Sequence, residues 1–365
     1  MFLVRRLLVL VFVWCALPEV SGKEQRLICG RRRVDTVFLI NNGINAIAGH
    51  WPWHAAIFHR KLGQLEYACG GSILDQRTVL TAAHCVTTPH GMISLRLISV
   101  HVGQTHLREE SEYIQVHGVQ EVIVHPSFIV HSIPYDIALI KLTANIALSK
   151  FVQPVCLWTM DDQLESIVGK NGTIIGFGLT ERDVTSDHLK QALVSVVDPL
   201  SCIESDRAAF GTLLTKEMFC GKGQPGVSAC NGDSGGGMFF EIGGKWFVRG
   251  LVSFTPVRAG TSLCDNLKHT AFTDVAKYSE WISKYVDPRV LPTDSDGIEV
   301  NYEEKQRLFN FDTCGIYSYE IFLPWLGMLT SPTADGTFGQ RCAVTLISDW
   351  YAVGPAHCFR NDGLK

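Results

Sequence analysis

Beyond its opening residues the chain has no long apolar run, and the opening run itself, Leu7 to Leu17, is too short to span a bilayer. It follows Arg5 and Arg6 and leads to the small-residue site Val20-Ser21-Gly22, the layout of a secretory leader over residues 1–22. A soluble, secreted, extracellular protein is therefore expected, with no membrane insertion. Neither sign of charge dominates: 32 Lys and Arg stand against 36 Asp and Glu, a net of -4 that offers no footprint for nucleic acid. No C-x-x-C pair occurs, which together with export argues against zinc, so neither a metal nor a cofactor is expected. Helical periodicity is scarce as well. It is found only from Asp274 to Val286, where Val275, Tyr278, Trp281, Ile282 and Tyr285 share one face behind Asp274 as a cap.

What the chain does have is cysteine and short β-forming runs. Twelve cysteines behind a leader read as a disulfide framework in an oxidising compartment; Cys15 belongs to the leader, and the eleven that remain leave one without an internal partner. From His54 to about Thr273, runs such as "HAAIF", "LRLISVHVG", "IALIKL" and "WFVRGLVSF" alternate with Gly, Asn and Asp, the pattern of an all-β barrel or sandwich. Gly243-Gly244 between two apolar runs is a hairpin signal. The periodic segment after Thr273 then closes the domain as a helix. Residues 288–310 follow, polar, acidic and proline-bearing, and read as a linker.

Three separated pieces carry chemistry. "TAAHC" sets His84 before a cysteine, "YDIALIKL" sets Asp136 at the head of an apolar strand, and "GDSGGG" sets Ser234 among glycines. Each alone suits a bland role: a surface histidine, a turn aspartate, a loop serine. Together, in the order His, Asp, Ser, they resemble the chymotrypsin-like serine peptidases over roughly Ile40 to Asp287. A serine hydroxyl is a poor nucleophile at neutral pH, so such a site needs His84 to accept its proton and Asp136 to orient and stabilise the imidazole.

The resemblance implies two six-stranded antiparallel β-barrels with a C-terminal helix over 40–287, preceded by a pro-segment at 23–39. It places the oxyanion hole at the N–H groups of Gly232 and Ser234. It pairs Cys69 with Cys85, Cys202 with Cys220 around a surface loop, and Cys230 with Cys264, and it leaves Cys29 and Cys156 as a tether for the pro-segment. Ser228 falls at the base of the specificity pocket, where a neutral side chain gives no counter-charge to a buried Lys or Arg. Val252, Ser253 and Phe254 resemble the strand that pairs with substrate backbone. Thr255 and Thr270 replace the glycines of a deep slot, so a shallow apolar pocket for small or medium aliphatic residues is expected, with the insertion "PVRAGTSL" near its rim. Gly237 stands where most relatives carry proline and is expected to loosen the loop after Ser234.

Activation in this family frees an aliphatic N-terminus that inserts beside the aspartate preceding the nucleophile, here Asp233. Register from "GHWPWHAAI" puts that residue at Ile40, so the bond to cut is Leu39-Ile40 and not one in the Arg31-Arg32-Arg33 run. Cleavage after Arg33 leaves Val34 six residues too early. Leu39 suits a neutral pocket, which suggests self-activation. Leucine there, with "PWHAAI" following, is also similar to modular serine proteases that start arthropod immune cascades, although the binding repeats ahead of the protease are absent here. The partners implied are protein substrates, other protease zymogens among them, and protein inhibitors.

The C-terminal part repeats the start of the domain. Pro324-Trp325, Cys342, and His357-Cys358 in "GPAHC" follow the spacing of Pro52-Trp53, Cys69 and His84-Cys85, which predicts a partial, non-catalytic second copy over 311–365 with a Cys342–Cys358 bridge. Cys314 resembles Cys29 and has no evident partner. Half a barrel has unpaired strand edges, so this region is expected to be poorly ordered or docked. Gln104 and Ile114 fall where calcium-binding relatives place glutamates, so "REESE" reads as a solvated loop. Asn171-Gly172-Thr173 is a glycosylation sequon. Two classes of function stand at this point: a secreted endopeptidase made as a zymogen, and a non-catalytic protease homologue acting as scaffold or cofactor.

Overall fold

The computed structural model describes residues 28–34, 44–130, 133–180, 182–224, 226–291, 326–332, 338–346 and 352–354. The leader, Leu39, Ile40, Cys314, His357 and Cys358 lie outside them. Two compact units divide between Pro292 and Thr293.

The first unit holds two closed barrels of six antiparallel strands. The first comprises β1 (His54–Lys61), β2 (Gln64–Ile73), β3 (Thr78–Thr81), β4 (Ile98–Val102), β5 (Gln115–Val124) and β6 (Ala138–Leu142). They pair in the order β1-β2-β3-β6-β5-β4, with β4 returning to β1. The second comprises β7 (Asn171–Gly176), β8 (Lys190–Val197), β9 (Met218–Lys222), β10 (Gly237–Ile242), β11 (Lys245–Phe254) and β12 (Thr270–Asp274). Its order is β7-β8-β9-β12-β11-β10, closed by β10 on β7, the same circuit as the first. Closure abolishes the open edges that an antiparallel sheet otherwise exposes.

Alternation along the strands builds the cores. In β4, Ile98, Val100 and Val102 are buried while Ser99 and His101 are half-buried, and the period of two is what turns one face inward. Trp53, fully buried, lies edge-on to Trp51 and near Phe239 of β10, joining the first barrel to the second. The β10–β11 hairpin turns at Gly243 and Gly244, with φ of 58° and 73°, a conformation that glycine adopts without strain.

Helix is more frequent than the periodicity suggests. Between Cys202 and Cys220, where a surface loop is expected, the chain forms α1 (Pro199–Ser205) and α2 (Arg207–Leu213). Asp198 caps the first by accepting from Ser201 N, and Asp206 caps the second through Ala209 N. Each is too short for a periodic apolar stripe, but Asp198-Pro199 is a legible start signal, with proline at the first helical position. The closing segment is a 3-10 turn, Val275–Tyr278, running into α3 (Ser279–Ser283), and Asp274 accepts from Ala276 N as its cap. A further turn at Pro288–Val290 buries Val290 with the core of the domain, inside the stretch read as linker.

The second unit shows an antiparallel sheet of β13 (Leu326–Pro332), β14 (Phe338–Leu346) and β15 (Ala352–Val353). Among the described residues no helix is long and apolar enough to cross a membrane.

Candidate active site

The site is assembled from both barrels. Strand β3 ends at Thr81, and the chain turns through Ala83–Cys85, a 3-10 turn held to β2 by the Cys69–Cys85 disulfide. His84 projects from that turn. Asp136 precedes β6 and follows Tyr135, whose φ of 62° is unusual for a residue with a side chain. The conformation is held by packing: the Tyr135 ring stacks on His125 at 5.2 Å and lies edge-on to Tyr278.

Asp136 is buried and fully satisfied. Its Oδ1 accepts from His84 N at 2.9 Å, and its Oδ2 meets His84 Nδ1 at 2.7 Å and accepts from Ser253 Oγ at 2.7 Å. Thr273 Oγ1 donates to the Asp136 carbonyl at 3.0 Å. Desolvation by itself lowers the His84 pKa, but the charge of Asp136 and the bond to it prevail, so the imidazole titrates above its usual value. Desolvation likewise works to raise Asp136, and the imidazole together with the Ser253 hydroxyl and the His84 amide holds its carboxyl below the ordinary range. A carboxylate on Nδ1 leaves Nε2 as the nitrogen free to take up a proton.

The Ser234 loop is pressed against the turn that carries His84. Ser234 O accepts from Gly70 N at 2.9 Å. Gly235 has φ 72°, and a Cβ there would lie 2.2 Å from Thr81 Oγ1 and 2.9 Å from Ala82 N, so only glycine permits the approach. Gly70 eases the same approach, since its Cβ would meet Gly236 Cα at 3.0 Å. Ser234 Oγ and His84 Nε2 make no hydrogen bond among the described residues; in unliganded sites such contacts are often long. Gly232 has φ 98°, and Tyr67 Oη donates to its carbonyl at 2.8 Å. The N–H groups of Gly232 and Ser234 meet no acceptor among the described residues. Two such free donors beside a serine can stabilise a developing oxyanion.

The Asp233 carboxylate is held by backbone amides. Its Oδ1 accepts from Gly178 N at 2.8 Å and its Oδ2 from Cys230 N at 2.9 Å. Burial pushes its pKa up to about 6, and the two amide bonds only partly oppose this. A Cβ on either Gly176 or Gly178 would lie 2.0 Å from its carboxylate.

The residues assigned to substrate binding divide. Ser253 lies on β11 at a register shift between Val252 and Phe254; its hydroxyl donates to Asp136, and it lines the same groove as Phe254. Phe254, half-buried, lines with His84, Thr88, Phe128 and Ile133 a groove of 290 Å³. Thr255 Oγ1 donates to Ala229 O at 2.8 Å and meets Thr270 Oγ1 at 2.9 Å, while Thr270 Oγ1 accepts from Ala229 N at 3.2 Å. The two threonines therefore face each other and close on the backbone beside Ser228, whose Oγ donates to Ala229 O. Gly237 is buried as the first residue of β10, and a Cβ there would meet the Phe239 ring at 2.3 Å and Ser72 Oγ at 2.7 Å. Tyr67, which braces Gly232, was not singled out from the sequence; nothing but its place two residues before Cys69 marks it.

Disulfides Cys29–Cys156, Cys69–Cys85, Cys202–Cys220 and Cys230–Cys264 are all formed. Cys69, His84 and Cys85 are the only cluster of potential metal ligands among the described residues, and the two sulfurs are bonded to each other, which removes both thiolates. Gln104 is buried and donates to His106 O, an internal role. Asn171 is exposed at the start of β7, with Oδ1 accepting from Ser195.

Comparison with known proteins agrees with this arrangement. The model of the family described as Trypsin matches residues 40–282. Clotting factor C of Tachypleus tridentatus is 32% identical over 276 residues, 71% of this chain and 26% of that protein. Chymotrypsin-C of Bos taurus is 34% identical over 244 residues, 66% of this chain and 87% of its own. Phenoloxidase-activating factor 1 of Holotrichia diomphalia is 30% identical over 264 residues, 68% and 70% of the two chains. The matched part spans about a quarter of clotting factor C and about half, 51%, of Serine protease gd from Drosophila melanogaster. With twin six-stranded barrels, a buried aspartate on a histidine between them, and a family match over most of the first unit, the chain belongs to the trypsin family of serine peptidases.

Proposed function

We propose that the protein is a secreted serine endopeptidase made as a zymogen. The observation that carries this reading is the 2.7 Å contact of His84 Nδ1 with Asp136 on a turn packed directly against the Ser234 loop. Ser234 Oγ attacks the scissile carbonyl as His84 Nε2 takes its proton, and the amides of Gly232 and Ser234 bind the oxyanion. The imidazolium, stabilised by Asp136, gives the proton to the leaving amine. Water then repeats the sequence on the acyl-enzyme and restores the hydroxyl.

Cleavage after small or medium aliphatic residues follows from the neutral Ser228 and from the Thr255–Thr270 pair, which shortens the pocket. The cavity beside Ser228, bounded by Cys230, Cys264 and Arg258, measures only 40 Å³. Asp183, which also lines it, is already paired with Arg258, so a buried Lys or Arg would gain no free counter-charge there. Activation at Leu39-Ile40 would give Asp233 the ammonium it lacks and bring its pKa down from about 6. The names of the relatives, a clotting factor and a phenoloxidase-activating factor, support a place in an extracellular cascade with other zymogens as substrates and protein inhibitors as regulators. Asn171 is the site proposed for a glycan.

A fluorophosphonate probe tests the reading. Labelling that appears after cleavage at Leu39 and is absent in Ser234→Ala is the expected result; a cleaved wild type that stays unlabelled makes the protein a non-catalytic homologue. Processing at Leu39 in wild type but not in Ser234→Ala marks self-activation.

A further inference from the structure

The Arg31-Arg32-Arg33 run, which as bare sequence invites a processing enzyme, is folded down onto the second barrel. Cys29 is bonded to Cys156. Gly30 N donates to Pro154 O and Gly30 O accepts from Trp246 N, both at 2.8 Å. Gly30 has φ 68°, and a Cβ on it would lie 2.4 Å from Trp246 O. Two residues on, the Arg32 guanidinium lies 4.2 Å from the Trp51 ring and 4.3 Å from the Trp246 ring, two indoles set edge-on at 4.9 Å. Among the described residues its Nε is buried with no hydrogen-bond partner, and the two ring faces are what the guanidinium meets. Glu241, paired with Trp246 across the β10–β11 hairpin, adds a favourable negative field. Val34 then packs where a Cβ on Gly49 would stand, 2.5 Å from Val34 Cγ2.

We propose that Arg32 is a cationic plug that seats residues 28–34 in the Trp51–Trp246 slot and masks the tribasic run from basic-specific proteases. Arg33 is exposed, so the protection is not steric cover of its side chain. A protease takes its substrate as an extended strand with several residues on each side of the cut. Cutting after Arg31, Arg32 or Arg33 therefore requires Arg32 to leave the slot and Gly30 to give up its two backbone bonds. The plug directs activation to the bond downstream and keeps the segment seated by contacts that do not depend on the disulfide. The masking does not rest on the catalytic reading, whereas the routing of activation downstream rests on the proposed zymogen; the test is run in a Ser234→Ala background so that no activity of the chain itself contributes.

Native protein is digested with a low dose of trypsin, and new N-termini at Arg32, Arg33 and Val34 are timed by sequencing for wild type, Arg32→Gln, Arg32→Lys and the Cys29→Ser/Cys156→Ser pair. Cleavage after Lys61 and Arg108, both exposed, reports general loosening in the same digest. The expected result is that bonds after Arg31 and Arg33 open at least tenfold faster in Arg32→Gln than in wild type, with Arg32→Lys between, control bonds unchanged, and the disulfide-free chain still protected. Equal rates in wild type and both Arg32 variants overturn the proposal. So does protection that persists in the variants and vanishes with the disulfide, which makes the bridge the only anchor.

Discussion

The hairpin that opens the first barrel and the sheet near the C-terminus pair in one register. Ile57 faces Cys69 in β1–β2, and Leu329 faces Cys342 in β13–β14; in both, the pairing slips by one residue at the next step, to Phe58 with Tyr67 and Thr330 with Gln340. The third strand follows suit, with Ser72 opposite Leu80 and Thr345 opposite Val353. What differs is the cover. In the first barrel Gly70, Gly71 and Ser72 are all buried, whereas at the three matching positions of β14 Val344 is buried between exposed Ala343 and Thr345. Register and bulge are therefore properties of the local strand sequence, while two-sided burial comes from closing the barrel and from the loops that land on it.

That contrast locates the chemistry. Gly70 leaves room for Gly236 and donates to Ser234 O, so the nucleophile loop can sit on β2. The matching position in β14 is Ala343, whose methyl group would occupy the space that such a loop needs. A partial, non-catalytic second copy over 311–365 is the proposal that this shared pairing motivates.

The two histidines should separate the two regions most sharply. His84→Ala is expected to lower kcat by about 10⁶-fold while far-UV circular dichroism is unchanged, and His357→Ala should leave kcat/KM within twofold. Any large loss from His357 would break the comparison. A smaller but still large difference concerns His54, which aligns with Leu326. His54 is buried with neither ring nitrogen bonded, and burial drives its pKa down to about 3. A histidine with a depressed pKa favours the folded state above its unfolded value near 6.5 and loses that advantage as pH falls toward 3. Urea titrations should show the first unit losing on the order of 3 to 5 kcal/mol between pH 7 and pH 3. His54→Leu should flatten that slope, and an unchanged slope would reject the assignment.

Gly70→Ala should cost about 100-fold in kcat/KM by displacing the Ser234 loop by a fraction of an ångström to an ångström, and Ala343→Gly should have no effect on it. Activity should also fall with acid as His84 takes up a proton, with a midpoint above 6.5 because of Asp136. Asp136→Asn should lower kcat about 10⁴-fold, as in other such triads. The smallest effect is expected at exposed Thr345, where Thr345→Ala should change stability by less than about 0.5 kcal/mol.

Much of this site could be read beforehand because the motifs are contiguous. His84, Asp136 and Ser234 each sit in a short, recognisable neighbourhood, and glycines at 232 and 235 mark where backbone must bend or approach. The short helices at 199–213 escaped because one or two turns give no periodic stripe. Ser253 lies on β11 within the Val252–Phe254 stretch, and the bond of its hydroxyl to Asp136 has no local signal in the sequence.

The linear chain by itself determined the alternating strands, the turn glycines, the capping aspartates, the four cysteine pairs and the His84, Asp136 and Ser234 motifs, because each depends on residues close together or on a resemblance carried by short motifs. Only the tertiary structure decided that Thr255 would bond Thr270, that Tyr67 would brace Gly232, and that Arg32 would lie between Trp51 and Trp246. Those contacts join residues brought together by two closed barrels and a disulfide, and no local period specifies which distant side chains the closure will set face to face.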